Sequence, residues 1–180
     1  MFQACGETFW RRAAVYSRHK YAVEEFRSIL AQYQDKVFRL ACGMLGDESQ
    51  AEDAAQETFV RVWKGLGNFR GESSISTWIF TIARRTCLDA LKARKKTVGL
   101  ELVIERPRME RESLDIDALL QELPERAREA VVLFYLEDRS YEEVARTMDA
   151  PMGTVKTLLF RARKQMIARM VESKLGRSAK

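Results

Sequence analysis

Residues 140–166, SYEEVARTMDAPMGTVKTLLFRARKQM, read as two helices joined by a tight turn, the second strongly cationic. Ser140 with Glu143 three positions on has capping-box spacing, in which each side chain satisfies a backbone donor left free at a helix start, so a helix is expected to begin at Tyr141. Val144, Ala145 and Met148 supply its buried stripe, and the small side chain of Ala145 lets a second helix cross closely. Asp149 tolerates turn geometry, while Pro151 presets its own backbone angle and disfavours helix at Ala150. A new helix is therefore expected just past the proline. In it Val155, Leu159, Ala162 and Met166 fall four, three and four residues apart and mark the packed face. Rotation by about 100° per residue puts Thr154, Thr157, Arg161 and Lys164 on the solvent side, with Lys156 and Arg163 along one flank. Between Thr154 and Arg169 stand five basic residues and no acidic one. The pattern is that of a helix-turn-helix, whose second helix is shaped for a DNA major groove and whose donors suit phosphates and base edges.

The rest of the chain is compatible with a polyanionic partner. Its 180 residues, 46% hydrophobic and 32% charged, suffice for one ordinary domain or two small ones, and the formal net charge is +5. The positive charge is clustered: Lys92, Arg94, Lys95 and Lys96 form one group and residues 154–169 another, with six acidic against three basic side chains over 101–117. Two separated patches imply two contacts on one long anion. Cys5, Cys42 and Cys87 contain no CxxC pair, and with His19 as the single imidazole they make a structural zinc cluster a poor fit. Cys42 and Cys87 read instead as small apolar core residues. No apolar run approaches the length needed to span a bilayer, and the first twenty residues lack a signal peptide's apolar block and cleavage site. The cytoplasm is the compartment expected, without membrane insertion. The leader, residues 1–21, fits an amphipathic tag, a partner contact or a docked extension equally well.

Helical periodicity organises the first half. Val23, Phe26, Leu30, Tyr33, Val37, Leu40, Ala41 and Met44 predict a helix over about 22–45, ended by Gly46 and Asp47. A second, over about 49–64, offers Ala51, Ala55, Phe59, Val62 and Trp63 for burial and gathers Asp53, Gln56, Glu57 and Arg61 on another side. That side is a candidate partner surface, although such a stripe also suits plain solvated helix. The loop GLGNFRGESSIST, residues 65–77, places Phe69 among glycine and serine. A third helix, over about 76–96, carries Trp78, Ile79, Ile82, Ala83, Cys87 and Leu91, then Arg84, Arg85 and the lysine cluster. Rings beside cations are what holding separated DNA strands requires, since exposed bases stack on rings while guanidinium and ammonium groups hold phosphates. Trp78 also fits a core, and one amphipathic ring can serve both ends. Residues 97–113, charged and interrupted by Pro107, read as a linker. Leu114, Ala118, Leu119, Leu123, Val131, Leu133, Phe134 and Leu136 then give the apolar sides of short helices broken near Pro124. The expectation is an all-α protein of two small helical domains, 22–96 and 114–172, joined by a flexible linker and followed by a basic tail, 173–180.

Two ordered runs carry a family resemblance. LGDESQAEDAAQETFVRVW (45–63) with FRGESSISTWIFTIARRTCLD (69–89), and LPERAREAVVLFYLEDRSYEEVA with PMGTVKTLLFRARK, resemble regions two and four of bacterial sigma factors of the extracytoplasmic-function (ECF) group of the sigma-70 family, over about residues 22–172. The resemblance implies a transcription factor, of a group tied to stress responses, that binds core RNA polymerase, selects promoters and helps open them, with no catalytic residue, metal or cofactor of its own. It assigns Asp53, Gln56, Glu57 and Arg61 to the polymerase clamp helices. Phe69, Arg70, Ser73 and Trp78, with Arg84, Arg85 and Asp89 on the following helix, fall to the melted minus-ten element. Thr154, Lys156, Thr157, Leu158, Arg161, Arg163 and Lys164 fall to the minus-35 duplex. It also implies an anti-sigma factor as a partner, in which any membrane attachment would reside. Three positions depart from the family pattern: Arg85 stands where asparagine is frequent, Asp149 where glycine is, and Leu158 where arginine is, the last exchanging a donor for a group that suits a thymine methyl. The competing reading is a helix-turn-helix regulator acting without polymerase, which needs neither the FRGES loop nor the polar second-helix face. Carboxylate pairs such as Asp53 with Glu57 come without a predicted pocket or metal-ligand cluster, which disfavours an enzyme.

Overall fold

The computed structural model describes the backbone of residues 4–98 and 116–178 and the side chains of residues 22–94 and 116–172. Every regular element described is a helix: α1 (Ala4–Leu45), α2 (Glu48–Leu66), α3 (Ile75–Val98), α4 (Ile116–Glu122), α5 (Glu125–Val131), α6 (Tyr141–Met148) and α7 (Met152–Ser178), with a wide π turn, Val132–Leu136, after α5. α1 to α3 form one helical group and α4 to α7 another. The expected linker lies largely outside the described residues.

Two boundaries differ from expectation. α1, expected over about 22–45, runs back to Ala4 through the leader; residues 7–22 contain neither proline nor glycine to stop it. α7 likewise continues through Ser178, into the stretch expected to be a tail. Between α1 and α2, Gly46 takes a left-handed φ of +64°, which a side chain would strain, and its N–H closes on Cys42 O at 2.8 Å. Asp47 then caps α2 by accepting from Gln50 N at 3.0 Å.

The core of the first group is Val37, Leu40, Met44, Leu45, Ala51, Val62, Ile79, Phe80 and Ala83, and that of the second is Leu120, Ala130, Val132, Leu133, Val144, Met148, Val155 and Ala162, all essentially inaccessible. Each large side chain so buried contributes about 1.5–3 kcal/mol over exposure. The two cores are continuous. A Cβ at Gly43 of α1 would lie 2.7 Å from Val132 Cγ2, so the bare backbone is what lets α1 lie against the π turn. Arg128 donates to Met44 O at 3.0 Å, and Gln121 Nε2 to Gly43 O at 3.3 Å. Arg39 pairs with the buried Glu137 at 3.2 Å, and Arg84 with the buried Glu129. Arg139 reaches the Ser76 hydroxyl and lies 4.2 Å from the centre of the Phe80 ring. Burial pushes the Glu137 carboxyl pKa up, with Arg39 opposing.

The π turn corrects another expectation. Glu137 N bonds to Val132 O, one residue further than in an α-helix. The widened turn leaves Tyr135 and Leu136 exposed, so Leu136 does not support the core as its spacing suggests, and Phe134 is half-buried. Trp63 is likewise not fully buried, 38% exposed and edge-on to Phe26 with ring centroids 5.0 Å apart. Cys42 is half-buried and Cys87 buried, both as free thiols, and burial pushes the Cys87 thiol up to about 12, which keeps it protonated. Among the described residues there is no His/Cys/Asp/Glu group that could hold a metal ion, and no helix long and apolar enough to cross a membrane.

Candidate nucleic-acid interface

The helix pair at 140–166 forms as its residues dictate. Ser140 Oγ accepts from Glu143 N at 3.2 Å, and Glu143 Oε2 accepts from Ser140 N at 3.0 Å, completing the capping box. That backbone N–H holds the Glu143 carboxyl below its usual range, and Arg139 adds to the effect. Asp149 takes the left-handed conformation, φ +49°, that ends α6, and Ala150 N bonds back to Ala145 O at 3.0 Å. α7 then presents Thr154, Lys156, Thr157, Arg161, Arg163 and Lys164 to solvent while Val155, Leu159 and Ala162 are buried.

Two residues of α7 refine the expected face. Leu158 is half-buried against the core, as its angle of about 60° from Val155 requires. Phe160, which the sequence reading passed over, is 70% exposed and is flanked by Thr157, Arg161 and Lys164. The same rotation that turned Thr157 outward carries Phe160 there, so the signal was present. Thr157 Oγ1 donates to Gly153 O at 2.9 Å, so its oxygen lone pairs and methyl are what remain for a partner. On the flank, Lys156 Nζ sits 5.5 Å from the Tyr141 ring centre, and Arg163 Nη2 donates to the Tyr135 hydroxyl at 2.5 Å.

A second surface surrounds the 67–78 loop. Phe69 lies on Trp78, centroids 5.0 Å apart and tilted by 40°, and Asn68, Arg70, Glu72 and Ser73 complete an open cavity of about 350 Å³ around the two rings. Gly71, at φ +72°, makes the turn that brings Arg70 and Ser73 to one cavity. A Cβ at Gly65 would stand 3.0 Å from the indole, so the glycine lets Trp78 lie on the end of α2. Ser74 caps α3 by accepting from Thr77 N at 3.1 Å, a helix-start signal one residue earlier than expected. A half-buried ring pair beside an arginine, an asparagine and one serine hydroxyl can stack a planar base and donate to its edges.

Both halves match one family. Residues 29–97 match sigma-70 region 2, and residues 113–166 match sigma-70, region 4. The chain is 34% identical over 158 residues to the RNA polymerase sigma-H factor of Pseudomonas aeruginosa, covering 77% of this chain and 82% of that one. It is an ECF sigma factor of the sigma-70 family. The ECF sigma-E factor of Haemophilus influenzae is 31% identical over 170 residues, covering 83% and 87%. Among solved structures, the sigma factor RpoE of Bartonella quintana in complex with the anti-sigma factor NepR superposes with a TM-score of 0.68 at 26% identity, over 79% of this chain and 94% of that one.

In this sigma factor the expected polymerase face, Asp53, Gln56 and Glu57, is exposed along α2, and Arg61 is half-buried at its edge. Arg61 bonds to Glu57 at 2.8 Å and to Asp89 of α3 at 3.1 Å, and the two carboxylates raise its pKa. One ion-pair chain therefore joins the expected polymerase set to the expected minus-ten set. Alongside it runs an open apolar groove between α1 and α2, lined by Phe26, Leu30, Phe59, Val60 and Trp63 and flanked by Gln56, which the sequence reading did not anticipate. Arg85 is exposed on α3, but Arg84 is turned away from the loop rings, into its pair with Glu129 of α5. The loop thus brings together Phe69, Arg70, Ser73 and Trp78, while Arg84, Arg85 and Asp89 lie outside that cavity.

Proposed function

We propose that the sigma factor docks on core RNA polymerase through Asp53, Gln56, Glu57 and Arg61 of α2, holds an unpaired minus-ten base at the Phe69–Trp78 cavity, and reads the minus-35 duplex with α7. Directing RNA polymerase to promoters is the family's function; nucleotide addition belongs to the core enzyme. The observation that carries the residue assignments is the pairing of two unlike surfaces on one chain. One is a ring-lined cavity fit for a single base, the other a cationic helix with a capped partner helix fit for a duplex. A duplex-binding regulator working alone needs only the second.

In the duplex reading, Thr157, Phe160 and Arg161 face base edges and Lys156, Arg163 and Lys164 face phosphates. The anti-sigma partner in the Bartonella complex supports an inhibitor of the same kind for this chain, covering the α2 face or α7 in competition with polymerase or promoter; any membrane attachment would lie in that partner. The test is transcription by bacterial core polymerase, with and without the protein, on a randomised promoter library. Transcripts that need both, from templates sharing separated minus-35 and minus-ten elements, are expected. Failure to copurify with core, together with no core-dependent transcripts, overturns the proposal.

A further inference from the structure

A row of three aromatic rings stands beside α7. Phe134 meets Tyr135 edge-on, centroids 4.9 Å apart at 85°, and lies tilted on Tyr141 at 4.6 Å. Tyr135 comes from the π turn and Tyr141 from the first turn of α6. Both phenols are partly exposed, at 44% and 36%. The two cations flanking the outer face of α7 sit at opposite ends of this row. Lys156 Nζ is 5.5 Å from the Tyr141 ring centre, and the Arg163 guanidinium carbon is 5.8 Å from that of Tyr135. Arg163 is tied twice, because its Nη2 also donates to the Tyr135 hydroxyl at 2.5 Å.

A long side chain free on a helix surface must be ordered when it meets a phosphate, and that ordering subtracts from the affinity. A hydroxyl that accepts from one of the guanidinium's N–H groups, on a ring close beside it, fixes it beforehand and leaves the other N–H groups to donate outward. We propose that Tyr135 is a positioning residue for minus-35 binding: its hydroxyl holds Arg163 at the angle from which it meets a DNA phosphate, and Phe134, itself packed on Tyr141, braces the ring. The inference rests on α7 being the minus-35 helix and adds a residue from outside it. Tyr135 lies within the π turn, exposed, with its hydroxyl at the guanidinium.

The experiment uses holoenzyme assembled with bacterial core polymerase and a promoter fragment selected from a random library by the wild-type holoenzyme. Dissociation constants are measured across a salt series for wild type, Y135F, R163A, the double variant, K156A and R161A. R163A is expected to weaken binding and to reduce the salt slope by about one unit, the signature of one lost phosphate contact. Y135F, which keeps the ring, is expected to weaken binding roughly two- to tenfold, as for one lost hydrogen bond. It should have no further effect in the R163A background. A merely structural tyrosine would weaken binding equally in both backgrounds, and that result overturns the proposal, as does a silent Y135F beside an effective R163A. If K156A and R161A weaken binding while R163A does not, this inference alone fails. If all three are silent, the reading of α7 as the minus-35 helix fails with it.

Discussion

Replacing Glu129 with leucine probes how the DNA-reading half is fastened to the rest of the sigma factor. The Glu129 side chain is 1% exposed and its partner Arg84 14% exposed, so the pair is almost fully withdrawn from water. Burial, with Arg126 and Arg85 nearby, pushes the Arg84 pKa down, opposed by Asp149, yet the guanidinium stays charged and so needs a carboxylate beside it. Leucine fills a similar volume but leaves the guanidinium unpaired, a change that costs about 3–5 kcal/mol in buried pairs. The free energy of parting the two helical groups caps the measured value, because parting them would return Arg84 to solvent. Converting Arg84 to methionine as well should recover most of the loss, since an apolar pair of similar volume is often as stable as the ions it replaces. Urea unfolding followed by far-ultraviolet circular dichroism, on the two single variants and the double, measures the coupling. A single-variant loss below about 1 kcal/mol, the range of solvent-exposed pairs, with no recovery in the double, would refute the reasoning.

Other outcomes follow from the surfaces. Thr157→Ala, Phe160→Ala and Arg161→Ala should change which minus-35 sequences a promoter library returns, with roughly 1–3 kcal/mol of discrimination at stake for a bidentate arginine; Lys156→Ala should weaken all promoters alike and lower the salt slope by about one unit. Phe69→Ala or Ser73→Ala should impair opening on duplex promoters and spare premelted ones, read by permanganate footprinting, whereas Trp78→Ala should also lower stability because its ring packs on Gly65. Charge reversal at Asp53 or Glu57 should weaken core assembly, measured by copurification, more than it lowers the melting temperature. For pH, the folded Glu143 carboxyl titrates below its unfolded value, so its contribution is present above the unfolded pKa and is lost as pH falls through the folded one. Glu143→Gln should therefore flatten the acid limb of the stability profile, measured by urea unfolding at stepped pH.

Much of the helix-turn-helix was legible because its determinants are local. Ser140 and Glu143 lie one turn apart, and Asp149 and Pro151 punctuate the chain where they stand, so four residues of sequence state the geometry. The ring-lined loop was partly legible for the same reason, Phe69 being conspicuous among glycine and serine. What escaped is set by contacts distant in sequence. The pairing of Arg84 with Glu129 joins residues that periodicity treats separately, and no spacing rule points an arginine on α3 toward α5. The π turn hid because its wide hydrogen bonding, as from Glu137 N to Val132 O, departs from the α-helical period that the spacing assumes, and Leu136 within it faces out. Phe160 was missed because an aromatic is assumed to be core, although the rotation that exposed Thr157 and Arg161 exposed it too.

Gly43 gives this architecture an evolutionary constraint. The segment of α1 around it serves two masters: Leu40 and Leu45 belong to the first core, while Arg39, Gly43 and Met44 O form the floor on which Glu137, Val132 and Arg128 rest. The halves look interchangeable along the chain, but they are cut to fit one another at a place outside both the ring-lined loop cavity and the exposed face of α7. A chimera that grafts a relative's second half onto this first half would inherit a foreign side chain opposite the bare backbone at Gly43. Transplanting promoter preference between sigma factors of this build therefore means moving the floor of the joint together with the helix that reads the DNA.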